Sequence, residues 1–263
     1  MAEVTRLAFV TNQKYIRRTL RRVGIRAYQP IEANAARALV AETDDKTIIA
    51  FPGTDVRCLR DWLRDFNGIS TNWVKGGRVH RGFASGLRAM WPQLAQEIKR
   101  RGKPVVIAGH SLGGAYATLA HTLLPQAMTY SFGAPAVGDE DFGAIVNPDR
   151  LHRYVHCADM ASSFTVKTRV TPYEHFGALK YIDRHGRIHD TISTDSMKAD
   201  QQAAKDAYRA QKRVWFKDTR TRGLADHAPL NYSSALLGLR PEPPKADRRH
   251  LICPTEHLQR LSA

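Results

Sequence analysis

One short stretch constrains the fold of this chain more than any other: an apolar run, a glycine-rich turn and a helix-forming segment follow one another directly. Residues 104–108 (PVVIA) are typical of a strand buried on both faces, and residues 112–124 predict a helix that ends before a proline. Between them Ser111 stands in the sequence GHSLGG. Glycines allow the close backbone approach of a sharp strand-to-helix turn, and the helix N-terminus favours negative charge on a bound oxygen. The pattern predicts a nucleophilic serine; the alternative is a serine that only caps the helix.

Predicted strands and helices alternate along the rest of the chain, which has 263 residues. The alternation predicts a single α/β domain over residues 1–263, with helices between buried parallel strands. We predict helices at 84–101 and 197–217, strands at 36–42, 47–51, 128–132 and 151–157, and a hairpin of 180–183 and 187–189. Residues 240–263 have three prolines early and no clear periodicity, so we expect a loosely packed tail there.

Several motifs resemble those of the class 3, fungal-type lipase family. The serine turn continues as GHSLGGAYATLA at 109–120, and SFGAPAVGDEDF follows at 131–142. Shorter pieces match in the family's order, namely FPGTD, RDWLRDF, VHRGF, YVHCAD, KYIDRHG and DHAPLNY. The likeness spans about residues 30–240. It implies an α/β-hydrolase fold, with a mostly parallel central sheet and helices on both faces, and a lipid ester hydrolase that needs no metal or cofactor.

A serine hydroxyl needs a histidine base to become a nucleophile, and the histidine needs a carboxylate that orients it. In α/β-hydrolases the chain order is serine, acid, histidine, so the base follows the acid. The resemblance assigns the base to His227, which we expect in a short loop before a helix opened by Pro229. The other histidines that follow the predicted strand at 151–157 are His175, His185, His189, His250 and His257.

The predicted acid is Asp159, which follows the strand at 151–157 and so lies at the sheet edge where α/β sites form. The resemblance puts the family's acid at the same residue. Asp183, beyond another predicted strand, is the second candidate. The family usually has prolines after its acid, whereas Ala161, Ser162 and Ser163 follow here, so the shape of this loop departs from the family pattern.

Two backbone donors are needed for the oxyanion that forms during acyl transfer. The residue after the serine, Leu112, supplies one N–H, and the resemblance puts the second at Thr54 in FPGTD, which could otherwise be a plain turn. Four apolar residues then fall at helical spacing, namely Leu59, Trp62, Leu63 and Phe66. In the family a short amphipathic helix here forms a lid that moves away at a lipid surface. The same spacing is typical of a fixed helix packed on the core.

The chain is strongly basic, with a formal net charge of +15. This charge predicts attraction to an anionic partner. The N-terminal segment 1–30 predicts a short amphipathic helix with Ile16, Leu20 and Val23 on one face and, on the other, Arg17, Arg18, Arg21 and Arg22. Such a helix either lies on an anionic membrane surface or covers the core. The sequence has no standard nucleic-acid motif, which argues against a nucleic-acid partner.

The predicted function is hydrolysis of carboxylic esters of lipids, as by a triacylglycerol lipase, a carboxylesterase or a phospholipase A1-type enzyme. The alternative is a catalytically inactive hydrolase-fold protein that binds anionic membranes or nucleic acid, but no member of the Ser-Asp-His set is missing. Three widely spaced cysteines predict free thiols rather than a disulfide framework or a metal site. The lack of a signal-peptide pattern predicts a cytoplasmic location, with export by a signal-less route as the alternative.

Overall fold

The computed structural model describes residues 1–10, 12–22, 24–34, 36–53, 69–162, 173–215 and 222–238. Several predictions fall outside these ranges. They concern the second oxyanion donor Thr54, the tail at 240–263, and the four residues of the predicted lid, Leu59, Trp62, Leu63 and Phe66.

The helices of the described residues are α1 (Ala2–Leu7), α2 (Gln13–Arg22), α3 (Arg81–Arg101), α4 (Leu112–Leu123), α5 (Glu140–Gly143), α6 (Thr194–Trp215), α7 (Arg222–His227) and α8 (Pro229–Leu236). The strands are β1 (Ala27–Ala33), β2 (Ala36–Glu42), β3 (Thr47–Phe51), β4 (Ser70–Asn72), β5 (Arg78–His80), β6 (Val105–His110), β7 (Met128–Phe132), β8 (Leu151–His156), β9 (Ala178–Ile182) and β10 (Ile188–His189).

Eight of these strands form one sheet in the order β1-β2-β3-β6-β7-β8-β9-β10, while β4 and β5 form a separate antiparallel pair. The five strands β3, β6, β7, β8 and β9 are parallel neighbours, and the pairings at both edges are antiparallel. This is the mostly parallel sheet that the sequence predicts. Because parallel strands end at the same edge, the residues that follow β6 and β8 are brought to one side of the sheet.

Helices cover both faces of the sheet, as predicted. On one face α3 and α4 pack with apolar side chains of the central strands, among them Ile49 and Ile107. On the other face α1 and α2 pack with the alternate residues of β2 and β3, such as Leu39 and Ile48. Alternation of this kind is what a strand buried on both sides requires. Among the described residues, no helix is both long enough and apolar enough to cross a membrane.

Of the two alternatives for the N-terminal helix, the structure shows the one in which its apolar face covers the core. Ile16 and Leu20 of α2 are 3% and 1% exposed, and they pack on the sheet with residues of β2 and β3. The apolar face of α2 is therefore part of the core, and only its arginine face meets solvent. The segment also contains an edge strand, β1, that was not predicted because it carries Pro30. Proline is tolerated at an edge, where the N–H it lacks has no neighbouring strand to reach.

Candidate active site

The strand-to-helix turn after β6 holds Ser111 in a strained conformation. Its φ is +57°, in the region that L-residues rarely adopt and that costs roughly 1–2 kcal/mol. A side chain at Gly113 would collide with the backbone of Phe51 on β3, and one at Gly109 would collide with Gly113 itself. The glycines of GHSLGG thus permit the close contact between α4 and two neighbouring strands. Ser111 precedes α4 but its hydroxyl makes no capping hydrogen bond to that helix, contrary to the alternative prediction.

The Ser111 hydroxyl instead faces a buried histidine. His227 Nε2 lies 2.9 Å from Ser111 Oγ, and His227 Nδ1 lies 2.9 Å and 3.0 Å from the two carboxylate oxygens of Asp159. All three residues are almost completely buried. With Nδ1–H donating to the carboxylate, Nε2 is free to accept the serine proton. The structure therefore brings together the three residues selected from the sequence, although they lie far apart along the chain.

The Asp159 carboxylate is surrounded by donors. The Tyr232 hydroxyl donates to Oδ2 at 2.6 Å, and the backbone N–H groups of Ala161 and Ser162 donate to Oδ1 at 2.8 Å and 3.3 Å. Burial opposes ionisation, but the electrostatic effect of His227 and the hydrogen bonds from His227 and Tyr232 outweigh it and lower the pKa of Asp159 to about 2. A proline at residue 161 or 162 would lack its N–H, so the departure from the family pattern supplies donors to the carboxylate.

His227 is the last residue of α7 rather than a loop residue, and α8 begins at Pro229 as predicted. A second histidine, which the sequence analysis did not select, binds the backbone of His227. His110 Nε2 donates to the His227 carbonyl at 2.7 Å, and the two rings lie 4.7 Å apart. Burial lowers the pKa of His110 to about 3, which keeps this imidazole neutral. Its position next to Ser111, at the end of a buried strand, was the available signal.

The second candidate acid lies elsewhere. Asp183 accepts hydrogen bonds from Arg187 and, depending on its tautomer, from His189, and it also accepts from the backbone N–H of His185. It therefore fixes the turn of the β9–β10 hairpin instead of contacting His227. His250 and His257 lie outside the described residues.

For the oxyanion, Leu112 is the first residue of α4, so its N–H has no acceptor within the helix. Gly53, which immediately precedes Thr54, runs so close to the serine that a Cβ there would lie 2.8 Å from Ser111 Cβ. The first three residues of the FPGTD segment therefore lead the chain to a position directly beside the nucleophile. In the described part of the chain, no group of three or more histidine, cysteine or acidic side chains is arranged to hold a metal ion.

Two solved structures of known proteins resemble this chain in fold. A solved structure of the Rhizomucor miehei lipase in a propeptide complex superposes with a TM-score of 0.56 at 22% identity, covering 75% of this chain and 73% of that one. A triacylglycerol lipase described as having a serine protease triad at its catalytic centre gives a TM-score of 0.55 at 20% identity, over 74% of this chain and 86% of that one. These likenesses show the α/β-hydrolase fold.

Sequence relatives point the same way. A secreted mono- and diacylglycerol lipase A of Penicillium cyclopium is 31% identical over 133 residues, which are 46% of this chain and 43% of the relative. The chain spans less than half the length of the curated relatives it matches. Residues 48–168 match the family model for lipase (class 3). Over the part of the chain that these matches cover, the sequence is therefore similar to class 3 lipases.

Proposed function

We propose that this protein is a serine hydrolase that cleaves carboxylic esters of lipids through an acyl-enzyme on Ser111. The observation that supports the proposal most is the continuous hydrogen-bonded chain from Ser111 through His227 to Asp159. Buried serine, histidine and carboxylate groups in this geometry are the elements of acyl transfer. The names of the similar lipases described above support an ester of a fatty acid as the substrate class.

In the first half-reaction, Ser111 Oγ forms a bond to the ester carbonyl carbon while its proton passes to His227 Nε2. The negative charge on the carbonyl oxygen is held by the N–H groups of Leu112 and Thr54. Asp159, ionised because its pKa is about 2, stabilises the imidazolium. The carbon–oxygen bond to the alcohol then breaks, and His227 returns the proton to the leaving alcohol.

In the second half-reaction, His227 takes a proton from water as the water oxygen attacks the acyl carbon. The bond to Ser111 breaks, the serine regains the proton and the fatty acid leaves. None of these steps uses a metal or a cofactor. We further propose that Leu59, Trp62, Leu63 and Phe66 form a lid whose apolar face is exposed on opening. Exposure of that face is unfavourable by about 25 cal/mol per Å² in water and is favoured at a lipid interface.

The test is hydrolysis of a chain-length series of p-nitrophenyl esters by the wild-type protein and Ser111→Ala, with labelling by a fluorophosphonate. We expect turnover and a covalent adduct in the wild type and neither in the variant. Turnover by Ser111→Ala at the wild-type rate would contradict the mechanism. A rise in rate above the solubility limit of the ester would support the lid, and a smooth saturation curve through that limit would exclude it.

We also propose that the arginine face of α2 attracts the protein to anionic lipid. Arg18, Arg21 and Arg22 are exposed, and within the described ranges none of them forms an ion pair. The helix contains no acidic residue. Because the apolar face of α2 is buried in the core, the attraction would be electrostatic and would weaken as salt rises.

The test is co-sedimentation with phosphatidylcholine vesicles that contain or lack phosphatidylglycerol. Reversing three charges on α2, in Arg18→Glu, Arg21→Glu and Arg22→Glu, should abolish binding to the anionic vesicles. The matched control reverses three exposed charges on α6, in Lys198→Glu, Lys205→Glu and Arg209→Glu, and changes the net charge equally. Equal loss in both triple variants would mean that only net charge matters. Preferential binding to duplex DNA over anionic vesicles would favour the nucleic-acid alternative.

A further inference from the structure

Two residues on the helices that follow the sheet hold the segment that carries Asp159. Asp226 Oδ2 accepts a hydrogen bond from the backbone N–H of Ala158 at 3.0 Å, and the Tyr232 hydroxyl accepts one from the N–H of His156 at 3.1 Å. Asp226 immediately precedes His227, and Ala158 immediately precedes Asp159. One carboxylate thus connects the backbone beside the base to the backbone beside the acid.

The other oxygen of this carboxylate is also engaged. Arg222 Nε donates to Asp226 Oδ1 at 2.8 Å, and His156 Nδ1 lies 3.4 Å from the same oxygen. Asp226 is 1% exposed. Burial opposes ionisation, but His156 and Arg222 outweigh it, so the pKa of the Asp226 carboxyl lies below its ordinary value. A buried, ionised carboxylate that accepts from both a guanidinium and an amide makes bonds stronger and more directional than neutral ones.

We propose that Asp226 is a positioning residue for the reaction: its carboxylate ties the end of α7 to the segment after β8 and so sets the distance between His227 and Asp159. The inference rests on the proposed hydrolase function. The polar partners of Asp226 are Ala158, Arg222 and His156, so Asp226 would act on the reaction only through its neighbours. The aspartate side chain is short and has little conformational freedom. While its carboxylate accepts from both Arg222 and the N–H of Ala158, the end of α7 and the segment after β8 keep a fixed relative position.

The main variant is Asp226→Asn, which keeps the shape of the side chain but removes its charge. A misplacement of about 1 Å in a catalytic group can lower a rate by as much as 100-fold, so we expect kcat for a short-chain ester to fall about 10-fold or more, with KM nearly unchanged. Asp226→Glu keeps the charge, but its extra methylene moves the carboxylate oxygens. We therefore expect its hydrogen bonds to be distorted and its kcat to stay below that of the wild type.

Asp183→Asn is a matched control. Asp183 is also buried, and it too accepts from an arginine Nε and from backbone N–H groups and lies beside a histidine, but at the β9–β10 hairpin. Its variant should lose stability and keep kcat per folded molecule. A drop in kcat of the same size in both variants, or none in Asp226→Asn, would overturn the inference.

A second readout does not depend on activity. The Nδ1 proton of His227, held by Asp159, should give a far-downfield proton resonance in the wild type that is missing from His227→Ala. We expect this signal to broaden or vanish in folded Asp226→Asn and to persist in Asp183→Asn. If Asp226→Asn does not fold, Arg222→Gln removes the guanidinium from the same carboxylate and should weaken the signal. An unchanged resonance in folded Asp226→Asn would overturn the inference, whether or not any ester is hydrolysed. A wild-type protein that hydrolyses no ester would instead count against the proposed function.

Discussion

The Tyr232 hydroxyl donates a 2.6 Å hydrogen bond to Oδ2 of Asp159, so the helix that follows the histidine also holds the acid. The same phenol oxygen accepts from the N–H of His156. Burial raises the pKa of Tyr232 well above its ordinary value, which keeps the hydroxyl a donor at any working pH. One side chain on α8 therefore fixes both the orientation of the carboxylate and the backbone that leads to it.

Replacing Tyr232 by phenylalanine should lower both stability and activity. The variant leaves the His156 N–H without its acceptor and removes a donor from a buried charge, so the free energy of unfolding should fall by about 1–3 kcal/mol. We expect kcat for a soluble ester to fall about 10-fold, because the carboxylate can then rotate. Urea unfolding and steady-state kinetics measure the two effects.

The matched control for this variant is Tyr181→Phe. Tyr181 is also fully buried and donates to a carboxylate at 2.8 Å, but this carboxylate is that of Asp200 on α6 and not that of Asp159. The free energy of unfolding of Tyr181→Phe should fall by a similar amount, while its kcat should stay at the wild-type value. An active-site role for Tyr232 would be wrong if the two variants had the same kcat.

Gly133 lies against the acid and the base, and alanine at this position should disrupt both. Its φ is +58°, and a Cβ there would lie 2.5 Å from Asp159 Oδ2 and 3.1 Å from His227 Nδ1. Gly133→Ala should therefore cost backbone strain and also displace the carboxylate, with a loss of activity that exceeds the loss of stability. Gly102 is the control position, because its φ is +61° but no atom lies within 4 Å of a Cβ placed there. Alanine at Gly102 therefore tests backbone strain alone. Gly102→Ala should cost roughly 1–2 kcal/mol and leave kcat unchanged; equal kcat in both variants would contradict the prediction.

The sequence predicts this site as far as local pattern reaches. The apolar run and glycines around Ser111 specify a strand, a turn and a helix from neighbouring residues alone. Asp159 and His227 could be selected because parallel strands end at one edge of the sheet and because the family pattern fixes their order. The contacts of Tyr232 and His110 could not be predicted, because their partners are 73 and 117 residues away and depend on how α8 and α7 fold back over the sheet.

The same limit explains the N-terminal segment. An amphipathic pattern shows that α2 has an apolar face. The same spacing of Ile16 and Leu20 is expected whether that face lies on a lipid surface or packs on the protein core. Only the packing of these residues against β2 and β3 decides between them. The strand β1 was missed because proline is disfavoured in strands, and its edge position is a property of the sheet, not of the segment.

The burial of Leu20 can be tested directly. Leu20→Ala should lower the free energy of unfolding by about 2–5 kcal/mol, the usual cost of such a cavity in a core. Arg18→Ala, which lies on the exposed face of the same helix, should change it by less than about 0.5 kcal/mol. Urea titrations of both variants give the comparison. A Leu20→Ala protein as stable as the wild type would mean that α2 is not packed on the sheet.

Stability should fall as the solution becomes acidic, before any carboxylate of the site is protonated. Burial lowers the pKa of His110 to about 3 and that of His80 to about 4, whereas both return to about 6.5 on unfolding. Between these values the unfolded chain binds protons that the folded protein excludes, so acid favours unfolding. Each such proton contributes a slope of about 1.4 kcal/mol per pH unit.

The carboxyl group of Asp159 has a pKa of about 2, so it lowers the free energy of unfolding only below its unfolded pKa of 3.8. Urea unfolding from pH ~7 to pH ~4 measures the slope. His110→Phe replaces the imidazole that contacts Phe9, His227 and Tyr232 with a ring that does not titrate, so it should reduce the slope by one proton. A free energy of unfolding that is flat over this range in the wild type would contradict the prediction.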